Sequence, residues 1–205
     1  MNTLKAEKRS MDVKAKKLRR EGFVTGNLFG REIEGSIPLK FTKKEIEVLL
    51  KNNNKGSQVM LELDGKTYDA LIKEVDYNPL AHTVEEVDFQ ALVSNEMVHS
   101  TAEIILENEE KVMSGVLQDE LKEVAYKALP ADLVDKIKVD VAGMKIGDTL
   151  RVKDLEIAKN KNIHITTDPE AVVATVTPVH NVVPETETAV SYTHLRAHET
   201  DSYLV

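Results

Sequence analysis

Apolar residues recur at every second position along much of the chain, a pattern that predicts short β-strands with one buried face. Up to residue 92, it predicts strands at 3–9, 59–63, 68–75 and 83–92. Asp64-Gly65 predicts a type I′ hairpin turn between the second and third of these, and Asn78-Pro79 ends the third. We therefore expect a small antiparallel β-barrel that ends near residue 92.

Two segments of the same region break this alternation and predict helices. Residues 12–20 predict a short basic helix, with Asp12 near its start and Gly22 just beyond its end. Thr42 and Glu45 have the spacing of a capping box, which predicts that a second helix begins there and covers residues 43–52.

The second half of the chain shows the same alternation without repeating the sequence of the first. Strands are predicted at 97–107, 137–141 and 172–176. Residues 119–129 admit a helix or a strand; the surrounding pattern favours the strand, and Pro130 ends either one. We predict a mainly β protein with a few short helices, in which the barrel domain at 1–92 is followed by a β-rich domain at 93–183.

The end of the chain differs from everything before it. Residues 184–190 form an acidic segment rich in proline, glutamate and threonine, which predicts an exposed tail. Residues 191–205, SYTHLRAHETDSYLV, resemble the read-through translation of a sequencing adapter and are treated as non-native.

The composition narrows the classes of protein to which this chain can belong. Hydrophobic residues make up 41% of its 205 residues, enough for a packed core. The absence of cysteine excludes disulfides, thiolate metal sites and cysteine nucleophiles. No segment is apolar and long enough for a membrane helix, and the amino terminus lacks the apolar stretch of a signal peptide. We expect a soluble, cytoplasmic protein.

Charge is spread unevenly along the sequence. Residues 1–91 carry sixteen basic and fifteen acidic residues, whereas the remainder carries eleven and twenty, a net charge of −9. Residues 1–22 alone hold eight basic groups against three acidic ones. A local basic patch of this kind fits a nucleic-acid partner even though the whole chain is acidic.

Catalytic and metal-binding chemistry has little support in the sequence. His194 and His198 stand four residues apart, as in some zinc sites, but they lack a third ligand and lie in the segment treated as non-native. The other histidines have no nucleophile-relay pattern around them: His82, His99, His164 and His180. No glycine-rich phosphate loop is present. We expect no enzyme activity, cofactor, metal or small-molecule substrate.

The cations of the predicted first helix are the stronger functional signal. Lys16, Arg19 and Arg20 fall at i, i+3 and i+4 and share one helix face, while Leu18 anchors the helix inward. Further cations nearby are Arg9, Lys14 and Lys17. Such a cluster fits RNA phosphates, and from spacing alone a merely solvated helix face is an equally good interpretation.

Several motifs resemble the bacterial large-subunit ribosomal protein L twenty-five family in its long, Ctc (general stress protein) form. In the first half these are AKKLRREG at 15–22, LFG at 28–30, KEVDYNP at 73–79 and EVDF at 86–89. In the second half they are SGVLQDELKEV at 114–124 and VDVAGMKIGDTLRVKDL at 139–155. The resemblance covers about residues 3–180 and is more specific in the second half.

The resemblance implies a non-catalytic protein that binds 5S ribosomal RNA in the central protuberance and neighbours large-subunit proteins. Off the ribosome, it is expected to be monomeric. The RNA-binding residues would be the cations Arg9, Lys14, Lys16, Lys17, Arg19 and Arg20, with the ring of Phe29 and the carboxylate of Asp88 at the RNA surface.

The sequence departs from the family pattern at several of these places. Phe29 stands where the family usually has tyrosine, and Thr25 where it usually has proline. Asp76 and Glu86 replace a usual glutamine and histidine and add negative charge to the expected RNA-binding face. They favour an alternative in which a divergent stress-type paralogue acts as a protein-interaction module without tight binding of ribosomal RNA.

Overall fold

The computed structural model describes residues 3–112 and 115–178, and these residues form a mainly β structure. The fold class predicted from the sequence is therefore confirmed. The first half contains β1 (Thr3–Lys8), α1 (Ala15–Arg20), β2 (Phe23–Phe29), β3 (Ser36–Thr42), α2 (Lys43–Asn52), β4 (Gln58–Leu63), β5 (Lys66–Asn78) and β6 (Thr83–Ala91).

The six strands of the first half close into a barrel with the order β1-β3-β2-β6-β5-β4. The expectation of purely antiparallel pairing is wrong at two junctions, because β1 pairs with β4 and β2 pairs with β6 in parallel. The reason is topological. The sets β1-β3-β2 and β4-β5-β6 are each antiparallel, and their outer strands β1, β2, β4 and β6 all run in the same direction, so both junctions between the sets join like-directed strands.

The first helix is shorter than its sequence pattern predicts. It begins at Ala15, and the predicted start at Asp12 is wrong. The carboxylate of Asp12 accepts a hydrogen bond from the Ser10 hydroxyl at 2.9 Å, so that residues 11–12 form a turn rather than a first helical turn. The predicted end is confirmed by Gly22, whose φ of +88° is the left-handed conformation that ends many helices.

The local signals for the second helix and the hairpin are confirmed. The Thr42 hydroxyl accepts from the Glu45 amide at 3.4 Å, and the Glu45 carboxylate accepts from the Thr42 amide at 3.3 Å, as a capping box requires. Asp64 and Gly65 have φ values of +50° and +77°, the positive pair that a type I′ turn needs. Asn78 is the last residue of β5.

The barrel interior is filled by aliphatic side chains and two phenylalanines. The rings of Phe41 and Phe89 lie with their centroids 5.4 Å apart, at a tilt of 56°. On β2 the buried residues are Val24, Gly26 and Leu28, with Thr25 also inaccessible, so Asn27 and Phe29 belong to the outer face of the strand. This alternation determines which side chains of β2 are available to a partner.

The second half forms two further sheets. Its strands are β7 (Val98–Glu107), β8 (Val116–Asp119), β9 (Glu123–Ala128), β10 (Lys136–Asp140), β11 (Thr149–Arg151), β12 (His164–Ile165) and β13 (Val172–Thr177). They are ordered β10-β7-β9-β12 and β11-β13-β8. Within residues 119–129, the preference for a strand over a helix is confirmed for Glu123–Ala128, where Val124, Tyr126 and Ala128 alternate as buried residues along β9, while Asp119 ends β8.

The loop before β4 touches the second half of the chain closely. The Asn54 side-chain amide donates to the Glu103 carboxylate at 2.5 Å, and that of Gln58 donates to the Pro130 carbonyl at 2.5 Å. Gly56 has a φ of +90°, and a Cβ placed on it would lie 1.9 Å from the Thr101 carbonyl oxygen. Only glycine fits here.

The division into domains at 92/93 remains a prediction. The predicted acidic tail at 184–190 and the segment at 191–205 lie outside the described residues, as do His180, His194 and His198. Among residues 3–112 and 115–178, no helix is both long and apolar enough to cross a membrane.

Candidate nucleic-acid interface

Helix α1 is anchored on the barrel by one buried side chain, and most of its cations are exposed. Leu18 is the buried residue of the helix, as predicted. Lys14, Lys16 and Arg20 are exposed, and none of the three has an acidic partner within 4 Å among residues 3–112 and 115–178. The structure therefore presents three free cations on and just before one short helix.

Within the described part of the chain, Arg19, unlike Lys16 and Arg20, has an acidic partner and is partly buried. Its guanidinium forms an ion pair with the carboxylate of Glu85 on β6, and both side chains keep only about a third of their surface exposed, 34% and 33%. Arg19 was expected to contact phosphate, but its charge is already balanced within the barrel. Lys17 approaches Glu21 at 3.9 Å on the exposed helix surface, a contact that contributes little.

Arg9 lies at the end of β1 and supports the loop that leads into α1. Its Nη2 donates to the carbonyl oxygen of Val13 at 3.1 Å. Within the described ranges, the buried Nε atoms of Arg9 and Arg19 have no hydrogen-bond partner. Arg9 therefore fixes the approach to the helix, a role that its sequence position alone did not reveal.

Asp88 and Asn27 form a hydrogen-bonded pair across the β2–β6 junction. One oxygen of Asp88 accepts from the Asn27 backbone amide at 3.0 Å and from its side-chain amide at 3.1 Å. The same side-chain amide donates to Glu86 at 3.2 Å. The carboxylate expected at the RNA surface is thus anchored in the sheet. Sequence reasoning missed Asn27, although a polar residue between Gly26 and Leu28 on a buried strand is a usable signal.

Acidic side chains gather beside this pair on the outer face of β5 and β6. Glu74, Asp76, Glu86 and Asp88 line a cavity of about 210 Å³. Burial raises the pKa of Glu86 above its usual value, the nearby charges of Asp88 and Asp76 raise it further, and Arg19 and Arg9 oppose the shift. Among the described residues, no group of three or more acidic or histidine side chains is arranged to hold a metal ion.

Phe29 lies at the opposite end of β2 from the helix. It is half-buried and pairs with Ser36 on β3 and Gln90 on β6. Because α1 precedes Phe23, the length of the strand, roughly 20 Å at about 3.3 Å per residue, separates the ring from the cations. The structure brings Phe29 onto the same outer face as Asn27, but it does not bring the ring next to α1.

Comparison with known proteins finds a matching family model for each half of the chain. The model of the Ribosomal L25p family matches residues 4–89, and that of the Ribosomal protein TL5, C-terminal domain, matches residues 97–180. The large ribosomal subunit protein bL25 of Carboxydothermus hydrogenoformans is 32% identical over 190 residues, which are 88% of this chain and 94% of that protein. That of Bacillus velezensis is 31% identical over 183 residues, 87% and 89% of the two chains.

Proposed function

Because this chain belongs to the ribosomal L25p family, we propose that it is a non-catalytic ribosomal protein that binds 5S ribosomal RNA in the central protuberance of the large subunit. The observation that carries the proposal is the set of free cations beside the polar outer face of β2 and β6: Lys14, Lys16 and Arg20. A folded RNA needs such a fixed array, since each phosphate contact releases condensed counterions.

The proposed roles follow from the geometry of the side chains. Lys14, Lys16 and Arg20, with Lys17 at the flank, contact phosphates because these cationic residues are exposed. Arg9 and Arg19 position the helix through Val13 and Glu85.

In this proposal, the outer face of β2 and β6 forms the second part of the RNA interface. One oxygen of Asp88 is occupied by Asn27, which leaves the other to accept from base or ribose donors. The ring of Phe29 packs on the RNA further along the strand. A shallow face of this kind recognises RNA by shape more than by sequence.

We propose further that the barrel domain covers residues 1–92 and that a second domain covers 93–183. The contacts around Gly56 support a fixed docking of one on the other. The second domain, with the acidic character of its sequence, faces protein neighbours in the large subunit or solvent. The protein acts in the cytoplasm, on the ribosome, and is monomeric when free.

A second candidate function is that of a protein-interaction module of a stress-type paralogue, without tight binding of ribosomal RNA. The cluster of Glu74, Asp76, Glu86 and Asp88 favours it, because four carboxylates on the same face oppose the approach of phosphate.

Sedimentation of cell extracts separates the two functions. The full chain should migrate with large subunits and remain there after a moderate salt wash. A triple variant with Lys14→Glu, Lys16→Glu and Arg20→Glu should move to the top of the gradient. The matched control reverses three exposed lysines elsewhere on the barrel, Lys44, Lys51 and Lys66, and should stay with the subunits. A free pool of the unaltered chain would support the interaction module instead.

A further inference from the structure

The tip of the hairpin between β5 and β6 is an ordered turn that projects from the barrel. The Asn78 side-chain oxygen accepts from the backbone amides of Leu80 and Ala81, each at 3.1 Å. Across the turn, the Tyr77 hydroxyl lies 3.2 Å from Nδ1 of His82. Asn78 therefore satisfies the backbone of the turn locally, which favours this conformation of the tip.

The same asparagine ties this tip to the cationic helix. Its side-chain amide donates to one oxygen of Glu85 at 2.7 Å, and the other oxygen of Glu85 pairs with Arg19. One carboxylate thus joins α1 to the hairpin, and the tip lies beside the surface proposed to hold RNA phosphates.

The ordered tip holds apolar side chains in solvent. Leu80 is 94% exposed and Tyr77 is 53% exposed. Single exposed leucines are common on protein surfaces. Here, however, the turn that carries the leucine is fixed from within, and an aromatic ring lies three residues away on the same hairpin. Preorganised apolar groups of this kind gain binding energy because little conformational freedom is lost when a partner arrives.

Polar groups lie beside the Tyr77 ring at the hairpin tip. Asp76, Tyr77, Asn78 and Glu85 line a cavity of about 260 Å³ next to the tip. Both oxygens of Glu85 are already engaged, by Asn78 and by Arg19. The carboxylate of Asp76 accepts hydrogen bonds and donates none, so it suits a ligand that carries amino protons. The exocyclic amino groups of adenine, guanine and cytosine are such donors, whereas uracil has none.

We propose that the tip contacts an unpaired, amino-bearing nucleobase of the RNA whose phosphates α1 holds, an inference that rests on the proposed function. The ring of Tyr77 and the side chain of Leu80 pack on the face of the base, and the carboxylate of Asp76 accepts from its amino group. A protein partner fits less well, because a stable protein interface needs a larger apolar centre than these two side chains.

The salt dependence of binding to 5S ribosomal RNA tests this inference. Stacking contributes affinity without releasing counterions, whereas each phosphate contact adds about one unit to the slope of log affinity against log salt. We expect Leu80→Ala and Tyr77→Ala in the full chain to weaken binding by about tenfold with an unchanged slope. Tyr77→Phe, which keeps the ring, should retain most of the affinity.

Two comparison variants make the outcomes distinct. Arg20→Ala should weaken binding and lower the slope by about one. Val48→Ala, another exposed apolar residue on α2, should leave both unchanged. If Leu80→Ala and Tyr77→Ala bind as the unaltered chain does while Arg20→Ala binds less tightly, or if they change the slope, the tip proposal is wrong and the phosphate surface stands. If the unaltered chain does not bind 5S ribosomal RNA, the proposed function fails first.

Discussion

The guanidinium of Arg19 pairs with the carboxylate of Glu85, a residue 66 positions further along the chain. Glu85 also accepts from Asn78, so this one carboxylate connects helix α1, strand β6 and the tip of the β5–β6 hairpin. Arg19 and Arg20 are neighbours in sequence with different environments: the first stabilises the barrel, and the second is free for a ligand.

Substituting each of these two arginines by alanine should separate the stabilising role of Arg19 from the ligand-binding role of Arg20. Arg19→Ala should lower the free energy of unfolding by about 1 kcal/mol, since it removes a half-buried ion pair. Arg20→Ala, which removes the same charge from an exposed position, should change it by less than about 0.5 kcal/mol. Urea unfolding followed by circular dichroism measures both. Equal losses would contradict the assignment of Arg19 as the structural member of the pair.

Because the pKa of Glu86 is raised, replacing this residue with neutral glutamine should change the free energy of unfolding in a pH-dependent way. A carboxyl whose pKa is higher in the folded state than in the unfolded state destabilises the fold when it is ionised. Glu86→Gln should therefore raise the free energy of unfolding near neutrality. The gain should vanish as the pH falls through the raised folded pKa to below the ordinary carboxyl pKa, where the glutamate is protonated in both states.

Glu85→Gln provides the control for that measurement. It makes the same change in charge one residue earlier, but it weakens the pairing with Arg19 and should lower stability near neutrality. Urea titrations of both variants near pH 7 and about pH 3 distinguish the two. A loss of stability for Glu86→Gln at neutrality would show that the Glu86 charge is favourable.

Gly56 should tolerate a side chain far less well than Gly65. Both have positive φ, which costs an alanine about 1 kcal/mol. At Gly56 the new Cβ also meets the Thr101 carbonyl at 1.9 Å, whereas nothing lies within 4 Å at Gly65. We expect Gly56→Ala to lower the midpoint of thermal unfolding well beyond Gly65→Ala. Equal shifts would mean that the loop moves freely away from the second half.

Phe29 offers a test of the far end of the interface. Tyrosine is usual at this position in the family that the sequence resembles, and the side chain is half-buried on the outer face of β2. Phe29→Tyr adds a hydroxyl at the edge of the ring and should strengthen binding to 5S ribosomal RNA several-fold, as one added hydrogen bond does. Phe29→Leu, which removes the ring, should weaken it. Isothermal titration calorimetry measures both, and unchanged affinity for both variants would place Phe29 outside the interface.

The sequence predicted the features whose causes are local. The capping box of Thr42 and Glu45, the turn at Asp64-Gly65 and the period-two strands each depend on residues within a few positions of one another. The start of α1 was wrong by three residues because the Ser10–Asp12 contact competes with capping.

Sequence reasoning predicted no strand at β2 or β3, and the other main features that it missed join distant parts of the chain. The parallel junctions lie where the two three-stranded antiparallel sets of the barrel meet. The pairs Arg19–Glu85 and Asn27–Asp88 span 66 and 61 positions, and they exist only because β2 and β6 are neighbours. The Arg19–Glu85 pair and the bond from Arg9 to the Val13 carbonyl distinguish two supporting cations from those that are free, a distinction that helical spacing alone does not contain.

Titration of the full chain against 5S ribosomal RNA, with a transfer RNA of similar charge density as control, tests the central claim most directly. We expect saturable binding to 5S ribosomal RNA at moderate salt, much weaker binding to the transfer RNA, and loss of the preference when Lys14, Lys16 and Arg20 are all changed to glutamate. Equal affinity of the unaltered chain for both RNAs, or unchanged affinity of the triple variant, would contradict the claim that α1 docks on a specific folded RNA.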